Sequence, residues 1–312
     1  MKQRAVRSYA PATISNLGPG FDVLGLAIDA PGDAVVARRQ RERGLTFSVL
    51  TTNKDVPPDA KHNVAAHVAT LLLEEVRMPY GVDLVLHKRM PIGSGLGSSA
   101  ASSVAALVAV NGLLPRPLAK RDLIRFAVEG ERMASGSPHA DNAAPSLLGG
   151  VCLIRSYDPL DVVELPVENR FYWVVVHPHV VVKTAIARRL LPKKIPLRTA
   201  VQQWGNVGGL VAGLMSGNGE LIRACVVDFV AEPSRSKLIP AYVEVKEAAL
   251  HSGALGCSLS GSGPSVFAIA ESAKQARQTA MLMKRAFDGV ARVKSDAYIS
   301  RINMRGAFAK PI

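Results

Sequence analysis

The stretch Pro91-Ile92-Gly93-Ser94-Gly95-Leu96-Gly97-Ser98-Ser99-Ala100-Ala101 is the part of the sequence best suited to chemistry. Glycine at three alternate positions permits tight turns and a close approach of the backbone to a ligand. The serines and alanines that follow open a helix. Successive N–H groups, and the positive end of that helix, would then face one spot, which suits a chain of phosphates. It is not a Walker A loop, because no lysine follows Gly97. Nor is it a dinucleotide fingerprint, since Ser98 stands where the third glycine belongs. Taken alone, such a loop reads equally as the cap of a helix.

Two other segments have the same character. Pro11 to Ala27 contains Asn16-Leu17-Gly18-Pro19-Gly20-Phe21-Asp22, and Leu259 to Ser265 reads Leu-Ser-Gly-Ser-Gly-Pro-Ser. Both set glycines beside small polar residues, as backbone held near a ligand does. Either one alone is more often a structural turn.

The elements that must position these loops alternate between strand and helix patterns. Ala34–Ala37, Leu45–Leu50 and Val82–His87 read as strands, and Asn63 to Arg77 as a helix with Asn63 as N-cap. Ser99 to Leu114, rich in Ala, Ser and Val, reads as a helix buried on most sides. Lys120 to Ser135 reads as an amphipathic one. After a strand at Val151–Ile154, the second half predicts strands at Tyr172–Val176 and within Gly256–Ile269. Its predicted helices are Thr199–Met215, Glu220–Val230, Ala241–Ser252 and Ser272–Phe287. This order implies an α+β fold of two lobes rather than a regular βαβ series. Turn residues near Ser156–Pro159 and Pro166 divide the chain into 1–160 and 161–312.

Composition narrows the classes. The chain has 312 residues, 48% hydrophobic and 20% charged, enough for real cores and unlike a disordered chain. Cys152, Cys225 and Cys257 form no metal-ligand spacing, so they read as core fillers in a reducing cytoplasm. Met1-Lys2-Gln3-Arg4 leads into no apolar leader, and no apolar run reaches the length of a membrane span. The formal charge of +13 comes from scattered basic residues with short groups at Arg38–Arg43 and Lys193-Lys194. No aromatic interleaving suggests base stacking, so a surface that attracts anions is preferred over nucleic-acid binding.

In order and spacing, the three Gly-rich segments resemble the signature motifs of the GHMP kinases. Four further stretches resemble the homoserine kinase branch: Asn16 to Asp22; His139-Ala140-Asp141-Asn142 with Pro145; Thr184 with Arg188 and Leu191-Pro192; and Glu232-Pro233 with Arg235 and Ile239-Pro240. The resemblance spans roughly residues 5–300. It implies a two-lobed GHMP kinase fold, with an N-terminal domain like domain 2 of ribosomal protein S5 and a ferredoxin-like C-terminal domain. It also implies transfer of the γ-phosphoryl group of ATP to the hydroxyl of L-homoserine, with Mg²⁺.

Residue roles follow from the same resemblance. Pro91, Ile92, Gly93, Ser94, Gly95, Leu96, Gly97, Ser98, Ser99, Ala100 and Ala101 would bind ATP, and Asn63 would border its adenine and ribose. Ser99 and Glu131 would hold Mg²⁺. Asn16, Asp22, Asn142, Arg188 and Arg235 would bind the amino acid, with Asn142 and Thr184 near the reacting groups. The planar forks of Arg188 and Arg235 suit its carboxylate, and Asp22 and Asn16 its ammonium. Asp141 is left without a role, and His139 reads as structural. Glu131 by itself would be a solvated helix charge, Arg188 a surface arginine and Asn63 a simple cap. A mevalonate-type kinase, a binding protein on the same fold and a nucleic-acid-binding module are the competing readings. The oligomeric state stays open, with a homodimer as one assembly the sequence allows.

Overall fold

The computed structural model describes residues 5–312, so Met1–Arg4, read above for a leader, lie outside the described residues. Two sheets divide the chain. The first is built on two long strands, β1 (Ala5–Ser15) and β2 (Leu24–Gln40), paired antiparallel around a bulge between Pro11 and Thr13. β3 (Leu45–Leu50) and β4 (Gly81–His87) run parallel and are joined by the helix α1 (Val64–Glu75). The sheet order is completed by β5 (Val151–Tyr157), β6 (Leu160–Leu165) and, at the far end of the chain, β11 (Phe308–Pro311).

Three helices cover this sheet: α2 (Ser98–Leu113), α3 (Lys120–Ser135) and α4 (Ala140–Leu148). α2 is the axis of the core. Thirteen of its sixteen residues are buried, which is why they are Ala, Val, Leu and Ser with no charge among them. Small side chains let it pack on β1, β2, α1 and α3 at once. Of its serines, Ser102 donates to the Ser98 carbonyl one turn back, while the Ser103 hydroxyl is buried without a partner. α3 is amphipathic as expected, and its inner face presents Glu131 to the core.

The second sheet orders β10 (Ser295–Ser300), β7 (Tyr172–Pro178), β9 (Val266–Ala270) and β8 (Gly256–Leu259), all neighbours antiparallel. With α9 (Tyr242–His251) before β8 and α10 (Ala273–Ala286) before β10, this is the split βαββαβ arrangement of a ferredoxin-like lobe. Between β7 and α9 lie α5 (Thr184–Arg189), α6 (Leu197–Ser216), α7 (Gly219–Cys225) and the single turn α8 (Glu232–Arg235).

Two features differ from the sequence expectation. The helix predicted over Glu220–Val230 ends at Cys225, because Asp228 turns the chain by accepting N–H groups of the next turn. β6, which begins at Leu160, and β11 both join the first sheet, since edge positions there pair them with β5 and β1. The strands of the first sheet thus cross the 160/161 division.

Candidate active site

Where the lobes meet, the three Gly-rich segments hold one another through backbone hydrogen bonds. Thr13 N donates to Leu96 O, Ser265 N to Ser94 O, and Gly261 N to Ser15 O. The Ser260 hydroxyl donates to Gly95 O. The loop between Pro91 and Ser98 is therefore clamped from both lobes before any ligand arrives. Gly95 and Gly97 both have positive φ. A Cβ would lie 2.4 Å from Ser260 O at Gly95, and 2.1 Å from Thr13 Oγ1 at Gly97. No L side chain fits either place.

Gly97 leads straight into α2 with no side-chain cap. The first N–H groups of that sixteen-residue helix are left to an external acceptor, and its dipole adds positive potential there. Beneath this end sits Lys88, which sequence reading overlooked by searching only after the last glycine. Its Nζ has four oxygens within hydrogen-bond distance for its three N–H groups: Asp33 Oδ2 (2.5 Å), Ser98 Oγ (2.6 Å), Ser98 O (2.9 Å) and Ser102 Oγ (3.0 Å). Burial lowers its pKa, and Asp33 and Glu131 oppose that shift. The available signal was a lysine at the end of a strand directly before the loop.

Glu131 reaches this end of α2 from α3. It is buried, and burial pushes its pKa up to about 7, against the opposing pull of the Ser99 hydroxyl and of Lys88. Its Oε1 has no hydrogen-bond partner. A buried, unpartnered carboxylate oxygen beside a serine hydroxyl, at a phosphate-binding helix end, fits a hard divalent cation completed by phosphate and water. Among the described residues no group of three His, Cys, Asp or Glu is placed to hold a metal ion, and Ser99 and Glu131 are the groups that would contribute here.

On the other side of the loop lie the remaining expected residues. Asn142 Oδ1 accepts from the Thr13 hydroxyl (2.7 Å) and its Nδ2 donates to Ser15 Oγ (3.0 Å), which fixes the amide against the loop. Arg188 donates to Asp22 Oδ2 (2.6 Å), and the His139 ring packs against both. Burial lowers the His139 pKa, which favours the neutral ring. Asn16 Nδ2 donates to Gly261 O, and its Oδ1 accepts from Asp22 N. Arg235 is buried, donates to Gly261 O, and faces the Phe21 ring at 5.0 Å; Arg188 faces the same ring at 5.5 Å. The Nε atoms of both arginines have no partner. Thr184 Oγ1 lies 3.4 Å from Ser262 Oγ, next to the third Gly-rich segment.

Hydrogen bonds thus link the first and third Gly-rich segments to Asn142, Asp22, Arg188, Arg235 and Thr184. Asn63 caps α1: its Oδ1 accepts from Ala65 N, its Nδ2 donates to Pro57 O, and no hydrogen bond joins it to the phosphate loop. Asp141 is buried beside Asn142, with its pKa raised to about 7 by burial and by Asp22 and Glu131. It lies inside the site, where burial works against its charged form.

The arrangement is that of an ATP-dependent phosphotransferase, with a phosphate cradle on one side and paired arginines with a carboxylate on the other. The family model of the GHMP kinases N terminal domain matches residues 63–150, and that of the GHMP kinases C terminal region matches 208–287. A homoserine kinase of Chlorobium phaeobacteroides is 48% identical over 97% of this chain and 99% of its own length. One from Chlorobaculum tepidum is 48% identical over 97% and 98%. The crystal structure of homoserine kinase from Cytophaga hutchinsonii superposes with a TM-score of 0.96 at 48% identity, covering 99% of this chain and 98% of that one. The chain belongs to the GHMP kinases and, within them, to the homoserine kinase family. A mevalonate kinase from L. major, 16% identical with a TM-score of 0.70, shares the fold.

Proposed function

We propose that the chain transfers the γ-phosphoryl group of ATP to the side-chain hydroxyl of L-homoserine, giving O-phospho-L-homoserine for threonine biosynthesis. The observation that carries this reading is the junction itself. An uncapped helix end and a buried carboxylate stand on one side of a clamped loop, and a carboxylate with two arginines stands on the other.

In this reading the backbone from Pro91 to Ala101 cradles the phosphates, and Lys88 adds charge from below. Ser99 and Glu131 would hold Mg²⁺. When bound, that ion neutralises charge on the phosphates and helps orient them. The substrate's carboxylate meets Arg188 and Arg235, and its ammonium meets Asp22 with Asn16 nearby. A zwitterion can replace the Asp22–Arg188 pair charge for charge, which mevalonate, lacking an ammonium, cannot do. Asn142, pinned by Thr13 and Ser15, orients the hydroxyl. Thr184 stands where the transferred group passes. Asn63, whose amide oxygen caps α1, would border the adenine and ribose as part of the wall around them. Transfer of this kind needs positioning and charge neutralisation more than a strong base.

No helix of the described residues is long and apolar enough to cross a membrane, and the three cysteines are buried and unpaired, as suits a cytoplasmic enzyme. A homodimer through α6 fits its outer face. Leu197, Val201, Trp204 and Met215 are exposed there, Arg198 is the helix's single charge, and Gly205, Gly208 and Ala212 leave room opposite the large residues in an antiparallel pair. Light scattering of the wild-type chain beside Trp204→Glu checks that assembly.

The decisive assay is ADP release with MgATP and L-homoserine, run in parallel with mevalonate, galactose, L-serine and L-threonine. Turnover with homoserine alone is the expected outcome. Turnover only with mevalonate would overturn the substrate assignment and leave the phosphate loop standing.

A further inference from the structure

The inward face of α6 carries one polar side chain that is nearly fully buried, Gln203. A buried amide is costly unless its donors and acceptor are engaged, and here they are. Nε2 donates to Pro19 O (2.8 Å) and to Asp228 Oδ1 (2.9 Å), and Oε1 accepts from Phe229 N (2.9 Å). The three contacts reach two segments far apart in the chain, at Pro19 and at Asp228–Phe229, each leading to residues on the substrate side of the site.

Asp228 is the second part of the device. Its Oδ1 also accepts from Val230 N (2.8 Å) and Ala231 N (3.0 Å), and its Oδ2 accepts from Glu232 N (2.9 Å). α8 is a single turn, too short to persist by its own hydrogen bonds, and its N-cap residue Ala231 offers no side-chain cap. The Asp228 carboxylate supplies that cap from three residues upstream. At the other end of this turn stands Arg235. On the opposite segment, Pro19 is two residues from Phe21, whose ring Arg235 faces at 5.0 Å.

From this geometry we infer that Gln203 is a positioning residue for the amino-acid substrate: through Pro19 and Asp228 it sets the spacing between the Phe21–Asp22 loop and Arg235. The inference rests on the reading that Arg235 and Asp22 grip the two charged ends of the substrate. Gln203 touches neither substrate nor ATP and acts only through the two segments it ties. A change in that spacing would shift the two grips relative to each other while leaving the phosphate loop, held by other bonds, in place.

The test uses the full chain and steady-state kinetics with each substrate varied in turn. Gln203→Leu, similar in size but without polar atoms, is expected to raise KM for L-homoserine about tenfold, as loss of roughly 1.4 kcal/mol of binding would. KM for ATP should move less than twofold. Gln203→Glu places a carboxylate against Asp228 and the Pro19 carbonyl, and should raise the homoserine KM further. A thermal melt of each variant accompanies the kinetics, and Gln203→Asn stands in if Gln203→Leu does not fold. A lower melting temperature with an unchanged homoserine KM would show a purely structural amide and overturn the inference. Equal rises in both KM values would overturn it too. A wild-type chain inert toward homoserine would instead remove the reading beneath it, a result the wild-type control shows before any variant is made.

Discussion

The two sides of the site are made in opposite ways. The phosphate side is one continuous loop and the helix it opens, and its groups are backbone N–H donors backed by the buried side chains of Lys88, Asp33 and Glu131. The amino-acid side is assembled from side chains of four separate segments, around 16–22, 139–142, 184–188 and 235, and part of it is open, with a third of the Arg188 side chain exposed. A ligand that every ATP-using enzyme shares can be met by backbone. A ligand that must be told apart from serine or mevalonate needs placed side chains, because discrimination comes from buried groups left unpaired by the wrong partner.

The sharpest way to break this contrast is at Glu131. Glu131→Gln keeps the shape but loses the charge, and kcat should fall about 10³-fold, the scale of removing one well-placed electrostatic group. Single-turnover measurement of ADP formation checks it. A small effect would mean that the phosphate side works by backbone alone.

Arg235→Lys addresses the other side. It keeps the charge and loses the planar fork, so kcat/KM for L-homoserine should fall on the order of 10²-fold while KM for ATP holds. A parallel rise in the KM for ATP would show that the two sides are not separate.

Burial of the carboxylates also predicts a pH effect on stability. Glu131 and Asp141 both have pKa values raised to about 7, above those of an unfolded chain. Between the ordinary carboxylate range and about pH 7, the folded chain holds protons that the unfolded chain has lost. Stability therefore falls as pH rises through that window. Without ligand, Glu131→Gln should melt higher than wild type at pH 8, by about 1–3 kcal/mol of stability, and lose that advantage near pH 5. Thermal melts across the range test this. A wild type that is more stable than the variant at pH 8 would contradict it.

The smallest effect is expected at Asn63. Asn63→Ala removes the α1 cap and should cost about 1 kcal/mol of stability with unchanged kinetics. A raised KM for ATP would return Asn63 to the nucleotide site as more than a cap.

Much of the frame was legible. The predicted helices over Asn63–Arg77, Ser99–Leu114 and Lys120–Ser135 lie within two residues of α1, α2 and α3 at each end, because periodicity and Gly or Asn boundaries are local signals. β2 was seen only as Ala34–Ala37, though it runs for seventeen residues. Its Asp29-Ala30-Pro31-Gly32 reads locally as a turn, and only pairing with β1 carries the strand through. Glu131 looked like a solvated charge, since nothing near it in sequence says which face of α3 meets α2.

What the sequence determined by itself is the chemistry on offer: three glycine segments whose backbones need positive φ and close approach, and a set of arginines, amides and acids at recognisable spacing. Backbone conformation is settled by neighbours along the chain, so these could be read directly. Only the tertiary structure decided that Lys88 lies under the helix end, that Gln203 ties Pro19 to the turn carrying Arg235, and that Glu131 and Asp141 are dry enough to hold their protons near neutrality. Each of these depends on residues 10 to 184 positions apart meeting in a medium of low polarity, and desolvation and long-range contact leave no mark in local sequence.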